Sequence, residues 1–326
     1  MSTVDDTPVD VLLQAQEWQD ARARDVQAGL AADPPELSPV WFYDERGSVL
    51  FDEITRLPEY YQTRAERRLL RDHVDDLAAL GIETLVELGS GTSDKTVEIL
   101  GALDGAGTLR TYVPFDVSEA TLRGAIDKLG ARFPDLAFHG IVGDFHQHLG
   151  RVPTEGRTLV AFLGGTIGNF RPAERARFFD DLASAMDGDD LLLIGIDLVK
   201  DPATIVAAYD DAAGVTAAFN RNSLVVLDRE LGADFDPSDF DHVARWNAEE
   251  RWIEMRLRAR RPIHATIPDL DVVIDLREGE DLLTEISAKF DPAGFAAELA
   301  AHGFAADRTW VSDGDEFALV LARRCR

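Results

Sequence analysis

The chain has 326 residues, with 60 Asp and Glu against 33 Lys and Arg, which gives a formal net charge of −27. So large an acidic excess repels phosphate backbones and disfavours nucleic acid as a partner. Because 45% of the residues are hydrophobic, the composition excludes global disorder and predicts one large or two smaller globular domains.

The N-terminal segment and the cysteine content predict a cytoplasmic protein. Residues 1–6 lack the basic and apolar regions of a signal peptide. The sole cysteine is Cys325, so no intrachain disulfide can form. The most apolar run, 191–196, is too short to cross a bilayer, and we expect no membrane segment.

Two helical regions precede the first predicted strand. Apolar residues recur at helical spacing over 10–32. The Asp-Pro-Pro sequence at 33–35 ends that helix, because proline lacks a backbone donor and restricts φ. A second helical region is predicted over 47–80, with an interruption at Leu57-Pro58.

From residue 84 onward, short apolar runs alternate with amphipathic helices. The predicted strands of this region are 84–88, 112–115, 136–145, 158–163 and 191–198. Ser118 is expected to cap the helix after the second of them, and 172–186 is predicted as a helix. Such alternation predicts an α/β fold with a parallel sheet and helices on both faces.

After Lys200 the alternation stops, which predicts a second domain. The elements expected there and in the C-terminal tail are a helical stretch at 202–220, antiparallel strands at 252–260 and 270–276, a helix at 292–302, and strands at 309–311 and 317–321. We therefore predict a sheet domain from 71–200 and 287–326. The second domain is predicted to combine 1–70 with 201–286.

Glycines follow the first predicted strand in residues 87–96, Glu-Leu-Gly-Ser-Gly-Thr-Ser-Asp-Lys-Thr. They let the backbone turn tightly and let a ligand approach it closely. A Walker phosphate loop needs glycine directly before the lysine, where Asp94 stands, and a dinucleotide fingerprint wants its third glycine at that position. The acidic-x-Gly-x-Gly pattern of Glu87 to Gly91 suits a cationic ligand without phosphates, such as S-adenosylmethionine.

Residues at the later strand ends favour the same ligand. Asp116 can accept hydrogen bonds from both hydroxyls of a ribose, and Asp144 can accept one from an adenine amine. Phe145 can stack on the adenine ring. Each alone also fits a helix cap or a solvated turn, but three in order at successive strand ends favour a cofactor site. The glycine-rich segment 162–169 after the fourth strand would border the reacting methyl group.

These residues resemble a known family, the S-adenosylmethionine-dependent histidine-specific methyltransferases of ergothioneine biosynthesis. The resemblance covers nearly the whole chain and rests on the segments 41–44, 57–61, 87–96, 162–169, 197–201, 208–216, 253–255 and 284–290. It implies a Rossmann-like class I methyltransferase sheet with a second, smaller α+β domain that binds substrate. It also implies three methyl transfers from S-adenosylmethionine to the α-amine of histidine, which yield hercynine (trimethylhistidine) and S-adenosylhomocysteine.

The resemblance further implies roles for individual residues. The positions that match contacts to the substrate carboxylate are Tyr60, Tyr209 and Asn169. Those that match imidazole contacts are Glu285 and Ser287, with Met255 beside them, and those beside the amine are Gly164 and Tyr43. The cofactor contacts match Gly89, Lys95, Asp116, Asp144 and Phe145. Gly165 and Gln62 depart from the family pattern, where serine and proline are common, and neither is assigned to chemistry.

A neutral imidazole presents one N–H group and one bare nitrogen. Glu285 can accept from the N–H, while Ser287 can donate to the bare nitrogen or accept from an imidazolium. Residues two apart in an extended strand point to the same side, so the pair can hold one ring. We expect the amine to attack the methyl group in line, with Tyr43 or an ordered water near Gly164 and Asn169 as the base.

The remaining lysines and the histidines receive other roles. Lys95 is expected to bind the methionine carboxylate of the cofactor, whereas Lys200 and Lys289 are predicted as structural ion-pair partners. His146 and His148 lack cysteine or further histidine partners at metal-ligand spacing, so no metal site is predicted.

Two alternative functions remain open at the level of sequence. One is a methyltransferase of the same build that acts on another amino acid or small amine. The other is a non-catalytic cofactor-binding scaffold or sensor, which the presence of both cofactor and substrate residues disfavours. We expect a monomer whose partners are small molecules, with neither nucleic acid nor a membrane among them.

Overall fold

The computed structural model describes residues 7–91, 93, 95–153, 155–314 and 316–325, and of His146 it describes the backbone alone. Residues 1–6 and Thr92 and Asp94 of the glycine loop lie outside the described residues, and so does the His146 side chain considered as a metal ligand. The chain divides into two compact units. The first unit consists of residues 7–14, 65–198 and 290–325, and the second unit of 15–64 and 199–289.

Strands and helices alternate through much of the described chain. The strands are, in order, β1 Val9–Val11, β2 Thr84–Leu88, β3 Thr111–Asp116, β4 Ala137–Phe138, β5 Gly140–Val142, β6 Thr158–Phe162, β7 Leu191–Asp197, β8 Phe240–Asn247, β9 Trp252–Ala259, β10 Ile263–Ile267, β11 Val272–Leu276, β12 Asp281–Ala288, β13 Phe304–Val311 and β14 Phe317–Arg324. The helices are α1 Ala15–Leu30, α2 Glu45–Ile54, α3 Tyr61–Ala78, α4 Thr96–Gly105, α5 Glu119–Arg132, α6 Phe145–His148, α7 Pro172–Ala185, α8 Pro202–Tyr209, α9 Val215–Leu231 and α10 Pro292–Ala301.

The first unit is built on one mixed sheet with the strand order β1-β5-β3-β2-β6-β7-β14-β13, and β4 pairs with β3. The pairs from β1 to β7 are parallel, whereas β14 runs antiparallel to both β7 and β13. Every residue of β2, β6 and β7 is buried, as expected for strands covered on both faces. The predicted Rossmann-like class I methyltransferase sheet is confirmed.

The strand order reverses between β2 and β6. From β2 the sheet continues through β3 to β5 on one side, and from β6 to β7 on the other. In open α/β sheets, ligands bind outside the carboxyl ends of the strands at such a reversal. The loops that follow β2 and β6, with Gly89 and Gly164, therefore begin at the expected ligand position.

The second unit is α+β, as the resemblance implies. Its strands form an antiparallel sheet in the order β12-β9-β8 and a separate hairpin of β10 and β11. Ile253 and Met255 on one face of β9 pack in a cluster with Phe219 of α9. The alternate residues Glu254 and Arg256 are also buried and form an ion pair of 2.8 Å. The cluster of arginines in 256–261, with acidic residues on either side, predicts a solvated strand face, and that prediction is wrong at Arg256 because its side chain is buried.

The N-terminal helix begins later than predicted. Val9 and Val11, whose branched side chains favour extended backbone, lie in β1 parallel to β5, and α1 starts only at Ala15. Residues 7–14 consequently lie in the first unit and not with the rest of the predicted second domain.

Further elements differ from the prediction. The helical stretch 202–220 is divided into α8 and α9, because Asp211 accepts the backbone N–H groups of Val215 and Thr216 and starts a new helix there. Phe145 begins α6 and does not end a strand. Strands β8 and β10 were not predicted, since β8 is half-exposed over most of its length and shows no clear alternation.

Among the described residues, no helix is long and apolar enough to span a membrane. Within the same part of the chain, no group of three His, Cys, Asp or Glu side chains is arranged to hold a metal ion.

Candidate functional site

The glycine loop after β2 exposes bare backbone at the sheet reversal. Gly89 and Gly91 have φ angles of +68° and +49°, a region that residues with a Cβ rarely adopt. The N–H groups of Gly89 and Ser90 donate to the Phe115 carbonyl at 2.8 and 3.1 Å, which holds the loop against the end of β3. Apart from chain neighbours, no atom of the described residues lies within 4 Å of a Cβ added at either glycine, so the described part of the chain leaves open space above this backbone.

Asp116 at the end of β3 is a fixed hydrogen-bond acceptor. One carboxylate oxygen accepts the Gly91 N–H at 2.8 Å and the other accepts the Ser118 N–H at 2.9 Å. Burial raises the pKa of Asp116, while these backbone hydrogen bonds oppose the rise. Each oxygen retains a lone pair, so the carboxylate can still accept from two neighbouring hydroxyls.

Glu87 braces the loop from within the sheet. Its buried carboxylate accepts hydrogen bonds from Thr96 and Tyr112, and the Tyr112 hydroxyl lies 2.9 Å from that of Ser93. Burial raises the pKa of Glu87 to about 7, although the hydrogen bonds from Thr96 and Tyr112 act in the opposite direction. Tyr112 thus lies in the core with its hydroxyl hydrogen-bonded.

Asp144 and Phe145 follow β5, next to the end of β3. The two strand ends are joined by a hydrogen bond of 3.0 Å from the Gly143 N–H to the Asp116 carbonyl. Asp144 and Phe145 are half-buried, and Gln147 donates to the Asp144 carboxylate at 3.1 Å. The Phe145 ring packs edge-on against Phe162 with centroids 5.8 Å apart. Asp144 and Phe145 thus follow a strand end whose backbone is bonded to that of Asp116.

A buried carboxylate that the sequence did not identify, Glu66 on α3, connects Lys95 with Gly164. Its oxygens accept from Lys95 Nζ at 2.5 Å and from the Gly164 N–H at 2.6 Å. Glu66 is fully buried on the inner face of α3, which also carries Ala65 and Leu69. An acidic residue within the apolar face of a predicted helix is the sequence signal that could have identified it. The Lys95 ammonium keeps further donors, and its side chain is 24% exposed.

Asn169 belongs to the same loop as Gly164. The loop continues from Gly164 into a 3-10 turn, Thr166–Asn169, and Asn169 is half-buried at its end. Gly165 has a φ of +70°, which explains why glycine is favourable where the family often has serine.

In the second unit, a bulge at Thr284 sets the faces of β12. Leu283 lies opposite Arg256 and Glu285 lies opposite Met255, so Thr284 is an extra residue in the strand. The buried Thr284 hydroxyl donates to the Met255 carbonyl at 2.9 Å. Because side chains alternate along a strand, the extra residue turns Glu285 away from the face of Arg256 and onto the face of Met255.

The predicted imidazole residues share this face. Ser287 lies opposite Ile253, two residues along from the pair of Glu285 and Met255. Ser287 and Met255 are buried, whereas Glu285 is half-buried. The expectation that Glu285 and Ser287 point to the same side therefore agrees with the register, but that register exists only because of the bulge.

Tyrosines adjoin these residues within the second unit. The rings of Tyr60 and Tyr209 are buried and meet edge-on at 6.3 Å, and Tyr43 packs edge-on against Phe219 at 5.6 Å. Tyr43 is half exposed as a residue, but burial of its hydroxyl, with the Glu285 carboxylate and Tyr209, raises its pKa above the usual range. Tyr43 is therefore a neutral phenol at neutral pH, which disfavours the predicted role as a base.

Two lysines bond to tyrosine hydroxyls. Lys200 donates to Tyr61 at 2.7 Å, and Lys289 donates to both Tyr209 and Ser287 at 2.9 Å. Lys289 was predicted as a structural ion-pair partner, and its contact with two of the predicted substrate residues was missed. The signal for it in the sequence was its position two residues after Ser287 in an extended segment.

Known methyltransferases match the chain along most of its length. It matches the family described as histidine-specific methyltransferase, SAM-dependent, over residues 22–324. It is 52% identical to the histidine N-alpha-methyltransferase of Mycolicibacterium smegmatis over 96% of this chain and 98% of that protein. It is 50% identical to the enzyme of the same name from Mycobacterium tuberculosis over 93% and 95% of the two chains. A 4-dimethylallyltryptophan N-methyltransferase of Arthroderma benhamiae is 25% identical over 96% of each chain. The chain belongs to the histidine-specific, S-adenosylmethionine-dependent methyltransferase family.

Proposed function

We propose that the enzyme transfers three methyl groups from S-adenosylmethionine to the α-amine of L-histidine and so makes hercynine for ergothioneine biosynthesis. The names of the relatives at 52% and 50% identity support histidine as the substrate. The observation that carries the proposal is the shared face of β9 and β12, where Met255, Glu285 and Ser287 lie next to Tyr209.

The first unit fits S-adenosylmethionine by the chemistry of its donors and acceptors. The bare backbone of Gly89 can lie against the cofactor, Asp116 can accept the ribose hydroxyls, and Lys95 can pair with the methionine carboxylate. Asp144 and Phe145 would hold the adenine. When bound, the cofactor supplies a methyl group on a positively charged sulfur.

The second unit supplies the groups that would orient histidine. Glu285 and Ser287 would bond the two ring nitrogens, with Met255 against the ring. The hydroxyls of Tyr60 and Tyr209 would donate to the substrate carboxylate. Aromatic faces also accept a growing quaternary ammonium, because their electron density attracts cations without forming hydrogen bonds.

Each transfer requires a neutral amine, so the substrate ammonium must first lose a proton. Since the raised pKa of Tyr43 keeps its hydroxyl protonated, we assign it an orienting role beside the amine. A water molecule near Gly164 and Asn169 is the proposed proton acceptor. Much of the acceleration would then come from alignment of the amine with the methyl group.

Mass spectrometry of histidine incubated with the enzyme and S-adenosylmethionine tests the activity. We expect a product with three added methyl groups and three equivalents of S-adenosylhomocysteine. A product that stops at one methyl group would contradict the proposed trimethylation. Absence of S-adenosylhomocysteine release would instead support a binding scaffold.

The competing substrate class is another aromatic amino acid, as the name of the 25% identical relative illustrates. Replacement of Glu285 by Ala separates the two, because the ring N–H of histidine would lose its acceptor. We expect the Kd for histidine to rise roughly 10- to 100-fold in Glu285→Ala. The Kd of Glu285→Gln should lie between those of the unaltered enzyme and Glu285→Ala. An unchanged histidine affinity, or tryptophan turnover equal to that of histidine, would contradict histidine recognition by Glu285.

We also propose that the enzyme acts as a monomer in the cytoplasm. A single cysteine, Cys325, agrees with a reducing compartment. Light scattering of the purified enzyme should yield a mass near 35.9 kDa. A mass of twice that value would contradict the monomer.

A further inference from the structure

The ammonium group of Lys289 forms a triangle with two hydroxyls of the proposed histidine site. Its Nζ lies 2.9 Å from the Tyr209 hydroxyl and 2.9 Å from Ser287 Oγ, and the two oxygens are 2.9 Å apart. Lys289 is only 3% exposed, and both partners are buried as well. We propose that Lys289 determines specificity: it commits Ser287 to donate to the bare nitrogen of a neutral imidazole. The inference rests on the proposed function and deepens it.

The commitment follows from counting hydrogens. An ammonium group only donates, so Ser287 and Tyr209 must each accept from Lys289. Ser287 also accepts from the Tyr209 hydroxyl, which fills both of its acceptor positions. The hydrogen of Ser287 itself is then what remains to face a ligand. When the Tyr209 hydrogen turns to a substrate carboxylate, Lys289 still donates to Ser287. Its positive charge then disfavours a second N–H of an imidazolium at the acceptor position that Tyr209 leaves.

Glu285 complements this donor two residues earlier on the same face. An ionised carboxylate only accepts, so the pair offers one acceptor and one donor. A neutral imidazole matches both. An imidazolium would direct a second N–H at the hydrogen of Ser287 and bring a positive charge toward Lys289. A ring without a bare nitrogen would leave the Ser287 hydrogen unpaired, which costs affinity in a buried site.

The groups around the ring position do not supply a second ammonium. The charged and titratable side chains on the surrounding elements are Glu285 of β12, Lys289 directly after β12, Tyr209 of α8, Tyr43 before α2, Tyr60 before α3 and His242 of β8. His242 bonds the Tyr209 carbonyl at 2.7 Å, and burial lowers its pKa, so it is neutral at pH 7. Lys289 is therefore the group among them that opposes a protonated ring.

The test compares histidine with 2-thienylalanine, whose five-membered ring has no nitrogen. Calorimetry with S-adenosylhomocysteine present would measure both dissociation constants for the unaltered enzyme and for Lys289→Met. We expect the preference for histidine over 2-thienylalanine to fall at least tenfold in the variant. Lys200→Met is the matched control, because it removes a lysine that donates to the Tyr61 hydroxyl at 2.7 Å, and it should leave the preference unchanged.

Ser287→Ala completes the test. If Lys289 acts through Ser287, each single variant should lose the same part of the preference, and the double variant should lose no more than either. Equal weakening of both ligands in Lys289→Met, or additive losses in the double variant, would overturn the inference. A failure of the unaltered enzyme to prefer histidine would instead refute the proposed function.

A measurement on the unaltered enzyme covers the case in which Lys289→Met does not fold. Nitrogen NMR of ring-labelled histidine bound at pH 6 should show one protonated nitrogen and one nitrogen that accepts a hydrogen bond. Free histidine is substantially protonated at that pH. Two protonated nitrogens in the complex would overturn the inference.

Discussion

The two units assemble their functional residues in different ways. In the first unit, Gly89, Asp116 and Asp144 lie at the carboxyl ends of neighbouring parallel strands of one sheet, and the sheet topology alone brings these strand ends together. In the second unit, Tyr209 and Ser287 come from distant segments, and the face they share depends on one extra residue in β12. Sheet topology therefore determines the proposed cofactor site, whereas side-chain register determines the proposed substrate site.

The largest effect expected in the first unit follows removal of Asp116. Asp116→Ala deletes an acceptor that its backbone partners hold in place, and two charge-assisted hydrogen bonds to a ribose would be lost. At about 1.5–3 kcal/mol each, or about 3–6 kcal/mol together, their loss should raise the Kd for S-adenosylhomocysteine roughly 150- to 25,000-fold. Calorimetry measures the change.

Asp127→Ala is the control, since it removes the same charge from an exposed position on α5. It should leave the affinity for S-adenosylhomocysteine unchanged. An Asp116→Ala variant that binds S-adenosylhomocysteine normally would break the comparison, because topology would then have brought together residues that the cofactor does not use.

Lys95 tests whether binding and stability are separable in the first unit. Lys95→Met leaves the buried Glu66 carboxylate without its cation, which should cost about 3 kcal/mol of unfolding free energy. Adding Glu66→Gln removes that charge and should restore much of the stability, measured by urea denaturation. Cofactor affinity should stay low in both variants. Its recovery in the double variant would show that Lys95 does not contact the cofactor.

Residues whose partners are near in the sequence could be predicted, and residues whose partners are distant could not. Strand β2, the cap at Ser118 and the glycine loop were predicted, because each depends on residues close together in the chain. Glu66 was missed because its partners, Lys95 and Gly164, are 29 and 98 residues away. The faces of β12 could not be derived from alternation, since the bulge at Thr284 reverses them.

Buried carboxylates of the two units titrate in opposite directions. Burial raises the pKa of Glu87 to about 7, so the native state holds a proton that the unfolded chain releases near pH 4.5. This stabilisation is present at low pH and is lost as the pH rises through about 7. Between pH 5 and pH 8 the free energy of unfolding of the unaltered chain should fall by roughly 2 kcal/mol more than that of Glu87→Gln, measured by urea denaturation.

Glu254 of the second unit provides the contrast. Burial would raise its pKa, but hydrogen bonds from Trp252 and Asn247 and the charge of Arg256 lower it to about 2. Its contribution is therefore complete above about pH 4.5 and is lost as the pH falls through about 2. The change between pH 5 and pH 8 should therefore come from Glu87 and not from Glu254. If Glu87→Gln loses as much unfolding free energy over that range as the unaltered chain, the assignment to Glu87 of the first unit is wrong.

The smallest effect concerns the bulge, and it tests the comparison most directly. Thr284→Val keeps the branched shape of the side chain but removes the hydrogen bond to the Met255 carbonyl. The lost hydrogen bond contributes about 1 kcal/mol to the bulge, which places the Glu285 side chain on the face of Met255. Its loss should therefore raise the Kd for histidine roughly fivefold. Thr284→Ser, which retains the hydroxyl, is the matched control and should stay closer to the unaltered enzyme.

Affinity for S-adenosylhomocysteine distinguishes the two sites in this experiment. Because Thr284 lies in the second unit and contacts β9, the variant should bind S-adenosylhomocysteine as tightly as before. If histidine affinity is unchanged while the hydroxyl is absent, the backbone pairing of β12 with β9 maintains the bulge without help from Thr284. The register of the substrate face would then be a property of the sheet, and the two units would differ less than their residues indicate.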